Sequence, residues 1–188
     1  MNAADRLIES TRELLWERGY VGTSPKAIQQ RAGAGQGSMY HHFEGKPALA
    51  RAAIERTAQE MSAKAEAQFQ GAGSAKERLI AYLRRERDVL RGCPIGGLTQ
   101  DPDVMADPLL RAPVTETLAW LRGQIADLVA EGVTNGEFDA SLNPTQTATT
   151  IVAVMQGGYV LARAADDAAL FDDAVAGILP LLGKFGER

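Results

Sequence analysis

The sequence contains one cysteine, Cys93, so no disulfide can close within the chain. That suits a reducing compartment. Long apolar runs are missing too. The most apolar region, Ile151 to Ala165, is interrupted by Gln156 and Arg163 and falls short of the ~20 apolar residues that span a bilayer. The first residues, Met-Asn-Ala-Ala-Asp-Arg, open a polar helix rather than the apolar segment of a signal peptide, so a cytoplasmic protein with no membrane partner is expected. No stretch signals a strand, and no internal repeat is visible. There is no phosphate loop, no dinucleotide-binding glycine pattern and no Gly-x-Ser-x-Gly. The two histidines, His41 and His42, are adjacent and would face different ways on a helix, with no Cys or carboxylate cluster at zinc spacing around them. No catalytic residue, metal or cofactor is therefore expected. Net positive charge is lacking as well. The chain carries −4, with a pI of about 5.3, which does not suit a nucleic-acid binder unless the charge is segregated.

The charge is modestly asymmetric, with the sign a nucleic-acid binder needs. Residues 1–60 hold 8 Lys/Arg against 7 Asp/Glu, net +1, and residues 61–188 hold 12 against 17, net −5. Between Ser24 and Lys46, Lys26, Arg31 and Lys46 stand against Glu44, net +2. With 188 residues, 45% hydrophobic and 23% charged, the chain has an ordinary globular composition and can bury a sizeable core in one or two domains.

The locally positive stretch reads as a helix-turn-helix. Ser24 can cap orphan backbone N–H groups, and Pro25 suits the first helical position, where its missing donor is not needed. Ile28 and Ala32 share one face, and Gly33 supplies the tight turn. The second helix runs from about Gln36 to His42. Gln36, Ser38, Tyr40 and His41 are its polar groups, while Met39 and Phe43 can face inward. The small residues Gly35, Gly37 and Ser38 allow close approach to a large flat partner.

Thr23-Ser24, the Ala32-Gly33 turn, and Gly37-Ser38-Met39-Tyr40-His41-His42-Phe43 followed by Lys46 resemble the DNA-binding motif of the tetracycline-repressor (TetR) family. Farther on, Gly92-Cys93-Pro94 resembles a segment of the LmrA/YxaF-like branch of that family. The resemblance is strong over residues 5–55 and looser beyond. It implies a ligand-responsive transcription regulator, a repressor acting as a homodimer on palindromic double-stranded operator DNA and released by a small apolar or aromatic effector. It implies that Ser24, Tyr40 and Lys46 meet phosphates, with Lys26 adding charge, and that Gln36, Gly37, Ser38 and His41 meet the groove. Ser24 and Lys46 stand at helix N-termini, which favour anions, and Gln can pair with adenine in two bonds. Pro25 departs from the pattern, lying where many relatives place a hydroxyl or a basic side chain.

An all-α fold of about nine helices is expected. Residues 3–18 form an amphipathic helix with Leu7, Ile8, Leu14 and Leu15 on one face and Thr11 between them. Gly19 stops it, and it roofs the helix-turn-helix to give a three-helix unit. Lys46-Pro47 opens a long helix to about Gln70, and Gln70-Gly71-Ala72-Gly73 is the clearest linker. Ser74-Ala75-Lys76-Glu77 is a capping box opening a helix to about Leu90. The basic run Arg84, Arg85, Arg87 and Arg91 reads as a solvated face paired with Glu86, Asp88 and neighbouring acidic helices, with a second DNA contact as the alternative. Asp101-Pro102-Asp103 and Asp107-Pro108 punctuate a turn-rich stretch, expected to be the most mobile part. A long helix from Asp107 to about Asn135-Gly136 carries Val114, Leu118, Leu121, Ile125 and Leu128 as a packing seam, with Pro113 kinking it or marking its true start. Asn143-Pro144 opens the next, to about Ala165, apolar nearly all round and so expected to be buried on several sides. The last spans Asp167 to Lys184, with Pro180 bending its end.

Two domains are expected, residues 1–46 for DNA binding and 47–188 for ligand binding and dimerisation. The resemblance implies a pocket in the larger one. Tyr82, Cys93, Met105, Trp120, Met155, Gln156 and Tyr159 are its candidate lining, apolar or aromatic with few polar groups. The resemblance also implies a four-helix dimer interface built from the last two helices. Gly157 and Gly158 would allow close approach there, and Leu161, Leu170, Val175, Ile178 and Leu182 supply apolar surface. Cys93 reads as a small buried hydrophobe, with a redox thiol favoured by Arg91 as the alternative. A second reading of the whole, from another class, is a small all-α enzyme or carrier using the apolar cavity. That reading needs polar groups converging on the cavity.

Overall fold

The computed structural model describes residues 2–183. Among these residues it is all-α, with no strand. The helices are α1 (Ala3–Arg18), α2 (Pro25–Ala32), α3 (Gln36–His42), α4 (Lys46–Phe69), α5 (Ala75–Arg84), α6 (Pro102–Ala106), α7 (Pro108–Thr134), α8 (Pro144–Ala165) and α9 (Ala169–Ile178). Two 3-10 segments, Gly96–Gln100 and Leu179–Leu182, complete the set. The chain forms two compact units. The first joins Met1–Met61 to Cys93–Thr117, and the second joins Ser62–Gly92 to the chain from Leu118 onward.

The first unit is built on α1, α2, α3 and the start of α4. The Asn2 side chain accepts from Asp5 N at 2.8 Å and opens α1, and Gly19, at φ 72°, closes it. Leu7, Leu14, Ile28, Ala32, Met39 and Leu49 form one buried cluster, with Ile8 and Phe43 packed against it. Each fully buried Leu or Ile side chain stabilises the unit by about 1.5–3 kcal/mol. Thr11, fully buried in α1, is satisfied because its hydroxyl donates to Leu7 O at 2.7 Å. The expected boundary after Lys46 does not coincide with the compact units, because Asp101 ties the later segment back to the turn after α1. Its carboxylate accepts from Tyr20 N at 2.7 Å and Val21 N at 2.9 Å. The Asp101–Pro108 stretch, expected to be mobile, is thus held by buried hydrogen bonds.

The second unit packs α5, α8 and α9 with the C-terminal parts of α4 and α7. Leu79, Tyr82, Leu83, Ile125, Ile151, Met155, Phe171 and Val175 are among its core residues. The Ser74–Glu77 capping box is complete, with Ser74 N donating to Glu77 Oε2 at 2.9 Å and Glu77 N to Ser74 Oγ at 3.2 Å.

Several expectations change. Helix α5 ends at Arg84 rather than near Leu90, because Arg85 turns extended and Arg87 reaches back to the carbonyls of Tyr82 and Leu83 at 2.6 and 2.9 Å. Arg87 is therefore no solvated surface cation. Its guanidinium lies over the Tyr82 and Phe171 rings at 5.2 and 5.6 Å, and burial pushes its pKa down. Helix α7 runs from Pro108 through Pro113, so Pro113 lies inside it and does not mark its start. Helix α8 buries one face only, leaving Val160 and Leu161 67% and 55% exposed. At the chain's end α9 passes into the 3-10 turn containing Pro180, and the expected helix end at Lys184 lies outside the described residues.

Candidate nucleic-acid interface

The α2–α3 pair presents most of the expected DNA-facing residues at the surface of the first unit. Ser24 caps α2 by accepting from Ala27 N at 3.2 Å, with Pro25 in the first turn. Gly33, at φ 57°, takes the left-handed conformation that ends α2, and its N–H bonds back to α2 carbonyls. Helix α3 is anchored from below. Met39 is fully buried, and Gln29 Nε2 lies 3.5 Å from its sulfur. With Met39 inward, Gln36, Gly37, Tyr40 and His41 are exposed, Tyr40 by 52%, and Ser38 is half-buried. Ser24 and Lys26 are exposed on α2. A Cβ at Gly35 or Gly37 would meet nothing within 4 Å, so packing inside the chain does not explain the missing side chains.

Lys46 is placed differently from the rest. Its Nζ donates to Tyr20 O at 2.8 Å and sits 3.7 Å from the centre of the Tyr20 ring. Burial lowers its pKa, against the opposing pull of Asp101 and Asp103. Burial raises the Tyr20 phenol, helped by Asp107, Asp103 and Asp101. The ammonium thus grips the turn before α2 through one of its three donors. Sequence reasoning did not reveal Tyr20 or Asp101. The partners of Asp101 lie 80 and 81 positions earlier, beyond the reach of any local pattern.

The candidate ligand residues fall in both units. Cys93 and Met105 belong to the first, where Cys93 is buried and its Sγ accepts from Gly96 N at 3.1 Å. Tyr82, Trp120, Met155, Gln156 and Tyr159 belong to the second. There Tyr82 stacks 4.6 Å from Phe69, Phe69 lies 6.3 Å from Trp120, and Tyr159 lies 4.6 Å from Phe171. Phe69 and Phe171 lie at the centre of these contacts. A cavity of about 360 Å³ opens elsewhere in this unit, lined by Leu142, Asn143, Gln146, Ile151, Ile178 and Leu182 among others and by none of the seven candidates. Among the described residues no group of three or more His, Cys, Asp or Glu could hold a metal ion. No helix among them is long and apolar enough to cross a membrane.

The candidate dimer residues also divide. Gly157 and Leu161 are exposed, and a Cβ at Gly157 would meet open space. Leu170 is half-buried. Gly158, Val175, Ile178 and Leu182 are buried within the second unit. A Cβ at Gly158 would lie 3.0 Å from the Phe171 ring, so this glycine serves α8–α9 packing inside one chain.

Two family descriptions match the sequence. Residues 7–53 match "Bacterial regulatory proteins, tetR family", and residues 75–178 match "Tetracyclin repressor-like, C-terminal domain". The chain belongs to the tetracyclin-repressor-like family. Over its whole length it is 22% identical to an uncharacterised HTH-type transcriptional regulator of Lactococcus lactis subsp. lactis, covering 96% of that protein. Among solved structures it is similar to a TetR family transcriptional regulator from Agrobacterium tumefaciens, with TM-score 0.87, 22% identity, and 96% and 97% of the two chains covered. It is also similar to a cysteine mutant of the TetR family regulator CifR complexed with 26-bp double-strand operator DNA, with TM-score 0.79, 21% identity and 95% of each chain covered. At these identities the likeness of the TetR structures is one of fold.

Proposed function

We propose that this protein is a cytoplasmic transcriptional repressor without enzymatic activity that binds a palindromic operator as a homodimer and is released by a small apolar or aromatic effector. The observation that carries the reading is the surface of α2 and α3. Six polar side chains, Ser24, Lys26, Gln36, Ser38, Tyr40 and His41, are exposed or half-exposed on helices fixed from beneath by Ile28 and Met39. Residues 1–46 carry the DNA contacts. Ser24, Lys26 and Tyr40 meet phosphates, which fix register, while Gln36, Gly37, Ser38 and His41 meet base edges. Lys46 acts by holding the Tyr20 turn. The region 47–188 carries effector binding and dimerisation. Support for the dimer comes from the exposed apolar Val160, Leu161 and Leu181, with the open Gly157 beside the first two. Support for the effector class comes from the aromatic set Phe69, Tyr82 and Trp120.

The test is a gel shift on DNA flanking the coding region, with scrambled DNA as control. Selective retention of one fragment is expected, and Gln36→Ala should cost ~1–3 kcal/mol on that fragment and relax preference at one position in each half-site. Equal retention of all fragments would remove the reading. Release of the retained fragment by a member of an apolar and aromatic compound panel then tests the effector.

A further inference from the structure

We propose that Asp101 is a positioning residue for DNA reading, its carboxylate fixing the turn that presents the start of α2. The inference rests on the DNA-binding reading above and adds to it a residue from far along the chain. Asp101 is 8% exposed and divides its two oxygens between two tasks. Oδ1 accepts from Asp103 N at 3.1 Å and Val104 N at 3.3 Å, which caps α6. Oδ2 accepts from Tyr20 N at 2.7 Å and Val21 N at 2.9 Å, in the turn between α1 and α2. Hydrogen bonds to a carboxylate are about twice as strong as neutral ones, so this oxygen is the strongest acceptor the turn has.

The rest of the turn is built around that approach. Gly19 has φ 72°, and a Cβ on it would lie 2.8 Å from Asp101 Oδ2. Thr23 Oγ1 donates to Gly19 O at 2.7 Å, and Lys46 Nζ holds Tyr20 O at 2.8 Å. Ser24, the cap of α2, comes three residues after Val21. The carboxylate and the ammonium therefore grip opposite groups of one short turn, its N–H donors and its carbonyl, immediately before the helix whose surface meets DNA. Asp101 acts through the turn and not on DNA, since it is buried and a carboxylate is repelled by phosphate.

Two substitutions separate the two oxygens. Asn caps a helix as well as Asp does, so Asp101→Asn keeps the α6 cap through one oxygen but turns an NH2 group toward the Tyr20 and Val21 donors. Asp101→Ser also caps but is too short to reach the turn. The probe is a DNA fragment selected from random sequence by the wild-type protein, compared with its scrambled version across a salt series, with active fraction determined by stoichiometric titration. Both variants are expected to lose about tenfold in affinity for the selected fragment. Affinity for scrambled DNA should fall by less, through the phosphate contacts at the start of α2 that also fix register on the selected fragment, while active fraction stays unchanged. Equal losses on both DNAs, or no loss on either, overturn the proposal. Amide exchange in the wild type gives a reading that needs no variant. Tyr20 and Val21 should exchange as slowly as Leu14 in the core of α1, and exchange typical of an open turn overturns the clamp. A wild type that selects no DNA would instead remove the DNA-binding reading on which this role depends.

Discussion

Lys26 and Lys46 carry the same charge on one stretch of chain, and their surroundings give them different roles. Lys26 is exposed on α2, whereas the Lys46 ammonium is engaged by the Tyr20 carbonyl and ring. Lys26→Ala should weaken binding to all DNA alike and make the salt dependence shallower by about one unit. Lys46→Ala should leave that slope unchanged and cost ~1 kcal/mol of stability, a charged hydrogen bond discounted for partial exposure. A salt series and a urea melt on each variant check both statements. Tyr20 gives a pH signature. Its folded pKa is raised, first by burial and then by Asp107, Asp103 and Asp101, so the folded state holds the phenol proton to higher pH than the unfolded chain, where it leaves near 10. This stability is fully present below about pH 10 and is lost as pH rises through the folded value. Lys46, shifted down, contributes with the opposite sign. Comparison of wild type with Tyr20→Phe in urea melts from pH 8 to 11 isolates the phenol, and the Phe variant should show the smaller alkaline loss.

At the scale of helices, the beginnings were legible and several ends were not. Ser24-Pro25, Ser74 with Glu77, and Asn143-Pro144 each open the helix their chemistry foretells, because a cap is a bond between residues three apart. The end of α5 carries no such local mark. Arg84 to Arg91 contains neither Gly nor Pro, and the helix stops where Arg87 reaches its carbonyls and lies over Phe171, a ring supplied by α9. The same distinction runs through the site. Gln36, Tyr40 and His41 could be placed at the surface because Met39 on the same helix faces inward. The direction of Lys46 depends on Tyr20, 26 residues earlier, and could not. The turn after α7 offers a test of such tertiary fit. A Cβ at Gly132 would overlap the Phe138 ring, and the N–H groups of Glu137 and Phe138 both bond to Gly132 O, at 2.8 and 3.1 Å. Gly132→Ala should therefore destabilise the second unit by ~1–3 kcal/mol despite its better helix propensity, as a thermal or urea melt would read.

For the whole molecule, α8 as a helix apolar nearly all round was read as buried, yet one chain covers only one side of it. Gly157, Val160 and Leu161 remain at the surface. Covering that stripe with a second copy would satisfy it, and a two-fold interface repeats the same patch on both sides. Because Leu161 is exposed within one chain, Leu161→Glu should leave folding intact while placing a charge in the proposed interface. Sedimentation should show monomers for this variant at concentrations where the wild type sediments as a dimer. Binding to a palindrome should fall with it, because half-sites ~34–36 Å apart are read together only by linked recognition helices.

The compact units also follow an order in time. The first cannot be completed from the N-terminal 61 residues alone, since Cys93–Thr117 is part of it and Asp101 supplies the anchor for the Tyr20 turn. Between the synthesis of Met61 and that of Thr117, at about 5–20 residues per second, a ribosome spends roughly 3–11 s. During that interval α1, α2 and α3 exist on the nascent chain without their clamp, while residues 62–92 await partners that lie beyond Leu118. The interleaving thus makes completion of the first unit a late event in biosynthesis, so that a chain cut short before Asp101 carries the motif and its own buried cluster but lacks the clamp on the Tyr20 turn.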